Sequence, residues 1–403
     1  MEFYANKPKD LPRFIYRNLQ QALSAPAADR QAAIKTFTST IDEIQLRGDW
    51  LKLKWCLPPR LADELSAEER QQIESVLQAK RGRRNEKFLE VFPHCSDEFS
   101  FDVGFLDAAF GAERFDLVSR QTRVFTMGSC FAHNIAEFLM NREFSVTPFA
   151  QAEDLNSPFS NAKMLAVCAS DEAFQRSYVG HWVKTLYPPH VAEQFPAIID
   201  AEIARLKQLA GMIRDSEFII ITCGNVLDYF LAQPSVAAEP GPRVAPKFFS
   251  ISNSEDVELR HYLTSQMKTA GAEFRLGSFD ETLAALAAQH QALRSLNPEA
   301  HLVYTLSPVP IDSAIGAHYS GKMGAIELDC ISKSSLRVAL AAFFGQRESD
   351  SRLHYFPSFE VVRWIAPCVD GAAFGREDAA SRHVSQQVLA GVYRYFLHKY
   401  CVE

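Results

Sequence analysis

Phe218-Ile219-Ile220-Ile221-Thr222 is the run that most narrows what this chain can become. Its residues are apolar and mostly β-branched, which favours an extended backbone, and the run offers no polar face to water. Such a strand is buried on both faces, as in a parallel sheet with helices on either side. Other runs with strand-favouring residues stand at Arg123 to Met127, Phe144 to Phe149 and His301 to Leu306. Helical spacing fills the intervals, at Phe131, Ile135, Phe138 and Leu139, through 160–215, and from Ser254 to Met267. It returns from Phe279 to Leu296, from Ser332 to Phe344, and after His383 with Val388, Leu389, Val392, Phe396 and Leu397. Strands alternating with helices specify α/β layering on a parallel sheet. The Pro-rich stretch 232–250 reads as an insertion forming a rim or lid, Pro93 to Phe115 as irregular, and Tyr355 to Val362 as extended.

The N-terminal part reads differently, as helices only. Leu11 to Leu23 and Ala32 to Leu46 carry helical spacing on either side of Pro26, and Ser66 with Glu69 forms a capping-box pattern ahead of a third helix. That helix runs into Lys80, Arg81, Arg83, Arg84 and Lys87, which read first as a solvated helix end and second as an anion site. The division expected is a helical region over 1–110 and an α/β domain over 115–403.

Composition excludes several classes of function. Forty-nine acidic against 42 basic residues leave a net charge of −7, which argues against nucleic-acid binding by bulk electrostatics. No apolar run approaches the roughly 20 residues that a membrane-spanning helix needs. Met1 to Asp10 is polar and lacks a secretory hydrophobic region, so a cytoplasmic location is expected. Eight cysteines without C-x-x-C spacing suggest neither zinc nor a redox dithiol, and no histidine or acidic cluster has ligand spacing. No metal or resident cofactor is expected.

The chemistry concentrates where strands end. In open α/β sheets functional groups lie beyond the carboxyl ends of the strands. Here those ends read Gly128-Ser129, Gly224-Asn225 and Ser307. Locally, Ser129 reads first as a helix cap. The same position, beside unpaired N–H groups and the positive end of a helix dipole, also suits a nucleophile that develops negative charge. Cys130 is a rival nucleophile for the same reason. A serine nucleophile needs a base, and the base an orienting acid. Among eleven histidines His383, following Glu377-Asp378 at an expected helix N-terminus, is best placed.

Gly128-Ser129-Cys130-Phe131-Ala132 resembles the signature of the GSCFA family, which looks like a branch of the SGNH/GDSL hydrolase superfamily. Further segments resemble the family's blocks in order: Thr147-Pro148-Phe149 with Asn156-Ser157-Pro158-Phe159-Ser160, then Ile221-Thr222-Cys223-Gly224, then Thr305-Leu306-Ser307-Pro308-Val309. Ser332-Lys333-Ser334-Ser335-Leu336 and Tyr355-Phe356-Pro357-Ser358-Phe359-Glu360 complete the set, over roughly 120–400. The resemblance implies a three-layer α/β/α, SGNH-hydrolase-like (flavodoxin-like) parallel sheet behind an N-terminal helical extension. It implies Ser129 as nucleophile, His383 as general base and Asp378 (or Glu377) as its orienting acid. Gly128, Cys130, Ala150, Asn156, Gly224, Asn225 and Ser307 would form the oxyanion and substrate-binding set. Two positions depart from the pattern: Ala380 stands where the superfamily's aspartate precedes the histidine, and Ala150 where a glycine would follow Pro-Phe. The function implied is a serine esterase or deacylase acting on an O-acyl group of a small-molecule or saccharide substrate. The alternatives are an O-acyltransferase, with a CoA thioester as co-substrate, and a binding protein that keeps the fold without turnover. The sequence sets no oligomeric state.

Overall fold

A computed structural model describes residues 10–26, 28–43, 63–80, 99–149, 156–248, 256–313, 317–369, 372–375 and 381–402. The chain divides into two compact units, 1–113 and 114–403.

The first unit is helical in its described residues: α1 (Asp10–Leu23), α2 (Arg30–Glu43), α3 (Ala67–Lys80) and α4 (Val103–Phe110). Its core joins Ile15 and Leu19 of α1, Ile34, Phe37 and Ile41 of α2, and Ile73 and Leu77 of α3. The expected capping box opens α3: the Glu69 N–H donates to Ser66 Oγ (3.2 Å) and the Ser66 N–H to Glu69 Oε2 (2.8 Å). Helix α4 corrects the expectation of irregular chain from Pro93 to Phe115, because its Phe105 and Leu106 are buried. Arg81, Arg83, Arg84 and Lys87 lie outside the described residues.

The second unit is built on a five-stranded parallel sheet of β1 (Val124–Gly128), β2 (Val146–Pro148), β3 (Phe218–Cys223), β6 (His301–Leu306) and β7 (Leu353–Phe356). Across the sheet they run β2-β1-β3-β6-β7, the 2-1-3-4-5 order of doubly wound folds. All four pairings are parallel, and β3 is central and buried along its whole length, as its composition requires. Alternate residues of the strands face opposite layers. Phe125, Met127, Ile219, Ile221, Leu302 and Tyr304 join a core with the helices α6 (Pro158–Cys168), α7 (Glu172–Leu186), α8 (Phe195–Asp215), α10 (Phe279–Leu296) and α11 (Ala325–Gly345). Between α8 and α10 lies α9 (Val257–Thr269). The opposite face is covered by α5 (Cys130–Met140) and the last helix, α12 (Gln386–Tyr400). There Phe218 of β3 meets Phe396 edge-on at 6.4 Å, and Phe131 of α5 lies 6.3 Å from Tyr393. Helices thus sandwich the sheet in three layers. Among the described residues no helix is long and apolar enough to cross a membrane.

Two local expectations change. Beyond β3 the chain forms β4 (Leu227–Phe230), antiparallel to β5 (Glu273–Leu276). The partners are far apart in sequence, so no hairpin turn signals them. After Phe356 the chain does not stay extended: Pro357 ends β7 and a helical segment runs from Ser358 to Val369, with a π-helical middle at Val361–Ile365. The insertion is strapped down over its described part, 232–248. Lys163 Nζ of α6 donates to Glu239 Oε1 (2.7 Å) with both side chains buried, and Trp182 Nε1 donates to Ser235 Oγ (3.2 Å).

At the amino ends of β6 and β7, His301 and His354 share a hydrogen bond (3.2 Å). Burial first, and then the neighbouring His301, pull the His354 imidazole down to about 4, while Asp350 opposes them and Arg294 adds to them. An unfolded histidine near 6.5 binds more protons than the folded one between those values, so stability rises with pH across that window. Acidification from pH 6.5 to 4 should therefore cost on the order of 3 kcal/mol. His354→Gln should flatten that part of the profile, read from urea midpoints against pH.

Candidate functional site

The order in which the strands are added reverses between β1 and β3, and such a switch point opens a crevice beyond the carboxyl ends. The expected functional residues line that edge. Gly128 pairs with Thr222 and Cys223 with Leu306, so Ser129, Gly224 and Ser307 follow one another across three adjacent strands. The Ser307 N–H donates to the Cys223 carbonyl at 2.7 Å, which continues the ladder one step past the sheet.

Ser129 is the N-cap of α5, only 3% exposed, with its Oγ accepting from the Phe131 N–H at 3.3 Å. That bond occupies a lone pair and leaves the hydroxyl proton available. The cap reading and the nucleophile reading are thus compatible in one geometry. Among the described residues no hydrogen bond joins Ser129 to His383. The backbone of Cys130 opens α5, and its side chain lies outside the described residues. Cys223, at the end of β3, is no rival nucleophile, because burial pushes its thiol up to about 12.

Beyond the end of the neighbouring β3 stands a polar frame centred on Asn225. Its Nδ2 donates to Asn156 Oδ1 (2.5 Å) and its Oδ1 accepts from the Leu227 N–H (2.8 Å). The Gly224 N–H donates to the Asn156 carbonyl at 2.6 Å. Asn156 itself is fixed because Ser157, its successor, caps α6. Ser157 Oγ and Ser160 Oγ (2.6 Å) both donate to the buried Asp228 carboxylate, which also accepts from the Ser160 N–H (3.0 Å). The carboxylate of β4 thereby sits on the N-terminus of α6, where a helix favours negative charge. From the other side Ser332 Oγ accepts from the Val226 N–H (2.9 Å), and Lys333 Nζ donates to the carbonyls of Gly224 (2.5 Å) and Ser307 (2.8 Å).

Ser307 is absorbed into this frame: its Oγ accepts from the Val309 N–H at 3.4 Å. The loop after it is held by two arginines. Arg363 Nε donates to the Pro308 carbonyl (3.0 Å) while its guanidinium pairs with Asp329 (2.8 Å), and Arg382 donates to the Pro310 carbonyl (3.3 Å) and pairs with Asp312 (2.9 Å). Arg382 thereby tethers its neighbour His383 to the carboxyl-end loop of β6. The His383 backbone is fixed as well, by the bridge between Phe374 and Val384 and by donation of the Gly375 N–H to the His383 carbonyl (2.9 Å). Its imidazole is exposed. The histidine stands just ahead of α12, two residues before its cap, Ser385. Ala150, Glu377 and Asp378 lie outside the described residues. Among the described residues no group of histidine, cysteine, aspartate and glutamate side chains is arranged to hold a metal ion.

Sequence reading did not find Asp228, Lys333, Arg363 or Arg382 as parts of this site. Ser157 and Ser160, spaced as a cap and its third residue, signal a helix start but not the carboxylate they receive. Nothing near Asp228 in sequence marks it, since its partners lie in another element.

The GSCFA family model matches residues 123–396, well over half of the chain and all of the elements that build this edge. A comparison with curated proteins found no match.

Gly224 tests the frame. A Cβ there would lie 2.5 Å from Asn156 Cγ and 2.7 Å from its Cβ and Nδ2. Gly224→Ala should cost about 1–3 kcal/mol through overpacking. Asn156→Gly in the same chain should return part of that loss, measured as non-additive shifts in urea midpoint.

Proposed function

This chain belongs to the GSCFA family, and from that premise we propose that it is a serine esterase or deacylase of the SGNH type. The observation that carries the reading is the place of Ser129, capping α5 at the β1/β3 switch point, on the same carboxyl edge of the sheet as the Asn156–Gly224–Asn225 frame.

In the proposed reaction Ser129 Oγ attacks the acyl carbonyl carbon of an ester, and its proton passes to the His383 imidazole. The carbonyl oxygen takes the electron pair of the broken π bond and becomes the oxyanion of a tetrahedral intermediate. N–H groups at the start of α5 and the second Nδ2 hydrogen of Asn225 are its donors. Collapse breaks the bond to the leaving alkoxide, which takes the proton from His383 and departs as an alcohol. Water, deprotonated by the same imidazole, then attacks the acyl-enzyme, releases the acid and restores Ser129. Asp378 is the proposed orienting carboxylate.

Acyl transfer to a sugar hydroxyl would use the same first half-reaction and differ only in the acceptor. Product analysis of the acyl-enzyme in the presence of candidate acceptors separates the two.

The reading predicts that a fluorophosphonate probe labels the wild type and that p-nitrophenyl acetate is hydrolysed. Ser129→Ala should abolish labelling and lower turnover by at least about a thousandfold, with an unchanged thermal midpoint to within a few degrees. Absence of both labelling and hydrolysis in the wild type would favour a binding protein instead.

A further inference from the structure

Helix α11 carries consecutive polar residues on its inward side, Ser332 and Lys333, both buried. They contact consecutive stretches of the chain on either side of Asn225. Ser332 Oγ accepts the Val226 N–H, and Lys333 Nζ binds the Gly224 carbonyl at 2.5 Å and the Ser307 carbonyl at 2.8 Å. A lysine only 3% exposed carries a charge that is costly to bury, and a methionine would fill similar space without that cost. Packing alone therefore does not account for a lysine here.

The acceptors show what the charge does. The Gly224 carbonyl belongs to the peptide that leads into Asn225, so a cation bound to it fixes the backbone from which the Asn225 side chain, a proposed oxyanion donor, projects. Ser307 ends the neighbouring strand, so one nitrogen also fixes the spacing of the β3 and β6 ends. With Ser332 holding Val226, the backbone on both sides of Asn225 is clamped to one helix. Preorganised dipoles are what stabilise a developing oxyanion, since they need no reorganisation when charge appears.

We propose that Lys333 is the positioning residue of the oxyanion site, clamping the Gly224–Asn225 peptide, and with it the Asn225 side chain, through its Gly224 and Ser307 hydrogen bonds. The inference rests on the esterase reading above.

The test uses full-length Lys333→Met and Lys333→Arg, with p-nitrophenyl acetate turnover, the rate of fluorophosphonate labelling at Ser129, and thermal melting. Lys333→Met should lower kcat roughly ten- to a hundredfold with KM within about threefold, and should slow labelling in parallel, because the probe passes through a similar charged geometry. Lys333→Arg keeps the cation but cannot set one nitrogen between both carbonyls, so it should recover only part of kcat. A folded Lys333→Met with wild-type kcat overturns the proposal, as does one whose loss lies in KM alone. Should Lys333→Met fail to fold, Lys333→Arg decides: reduced kcat at unchanged KM supports the proposal and unchanged kcat overturns it. An active wild type with an indifferent Lys333→Met sinks the lysine proposal alone. A wild type that neither turns over nor labels removes the esterase reading, and the lysine proposal with it.

Discussion

The site depends on how closely β1 approaches β3 at Gly128. That residue has φ +123°, a conformation strained for any side chain, and a Cβ there would fall 2.1 Å from the Thr222 carbonyl oxygen. Only a glycine lets the chain leave β1, turn against β3 and enter α5 at once. The turn sets where α5 begins, and so where Ser129 stands. It also brings Phe131, Ile135 and Leu139 onto the sheet face that they bury. One backbone constraint thus positions both a layer of the fold and the candidate nucleophile.

Beyond the end of the neighbouring β3 the frame is polar, buried and tied from several directions. Neutral backbone hydrogen bonds contribute about 0.5–1.5 kcal/mol each, whereas those to charged groups contribute about 1.5–3. The second kind recurs here: Asp228 on the start of α6, Lys333 on two strand ends, Arg363 and Arg382 on the loop after β6. Charged groups are being used to hold backbone, and what they hold is the crevice edge. Rigidity at that edge is what the proposed oxyanion site would use, and the buried Asp228 and Lys333 are charges that the hydrophobic core does not require.

Much of this was legible in the sequence because it is written in short-range patterns. The run Phe218 to Thr222 announced a central strand, Gly128-Ser129 a strand-to-helix turn, and Ser66 with Glu69 a capping box, each through neighbouring residues. The place of Ser129, Gly224 and Ser307 along one edge followed from alternation of strands and helices, which puts the strand ends of a parallel sheet together. What stayed hidden depends on partners distant in sequence. Leu227 to Phe230 is a strand only because Glu273 to Leu276 lies beside it. Asp228 and Lys333 are site residues only because the fold delivers Ser157, Ser160, Gly224 and Ser307 to them. Ser332-Lys333 was visible as a motif, yet its purpose needed the two peptides that it grips.

Rapid-quench mass spectrometry during turnover of p-nitrophenyl acetate tests the central claim most directly, since it sees the covalent intermediate itself. The account predicts a transient gain of one acetyl group on the peptide that carries Ser129, formed as fast as the first burst of nitrophenol. Turnover without an adduct on that peptide, or with the acetyl group on another residue, would contradict it.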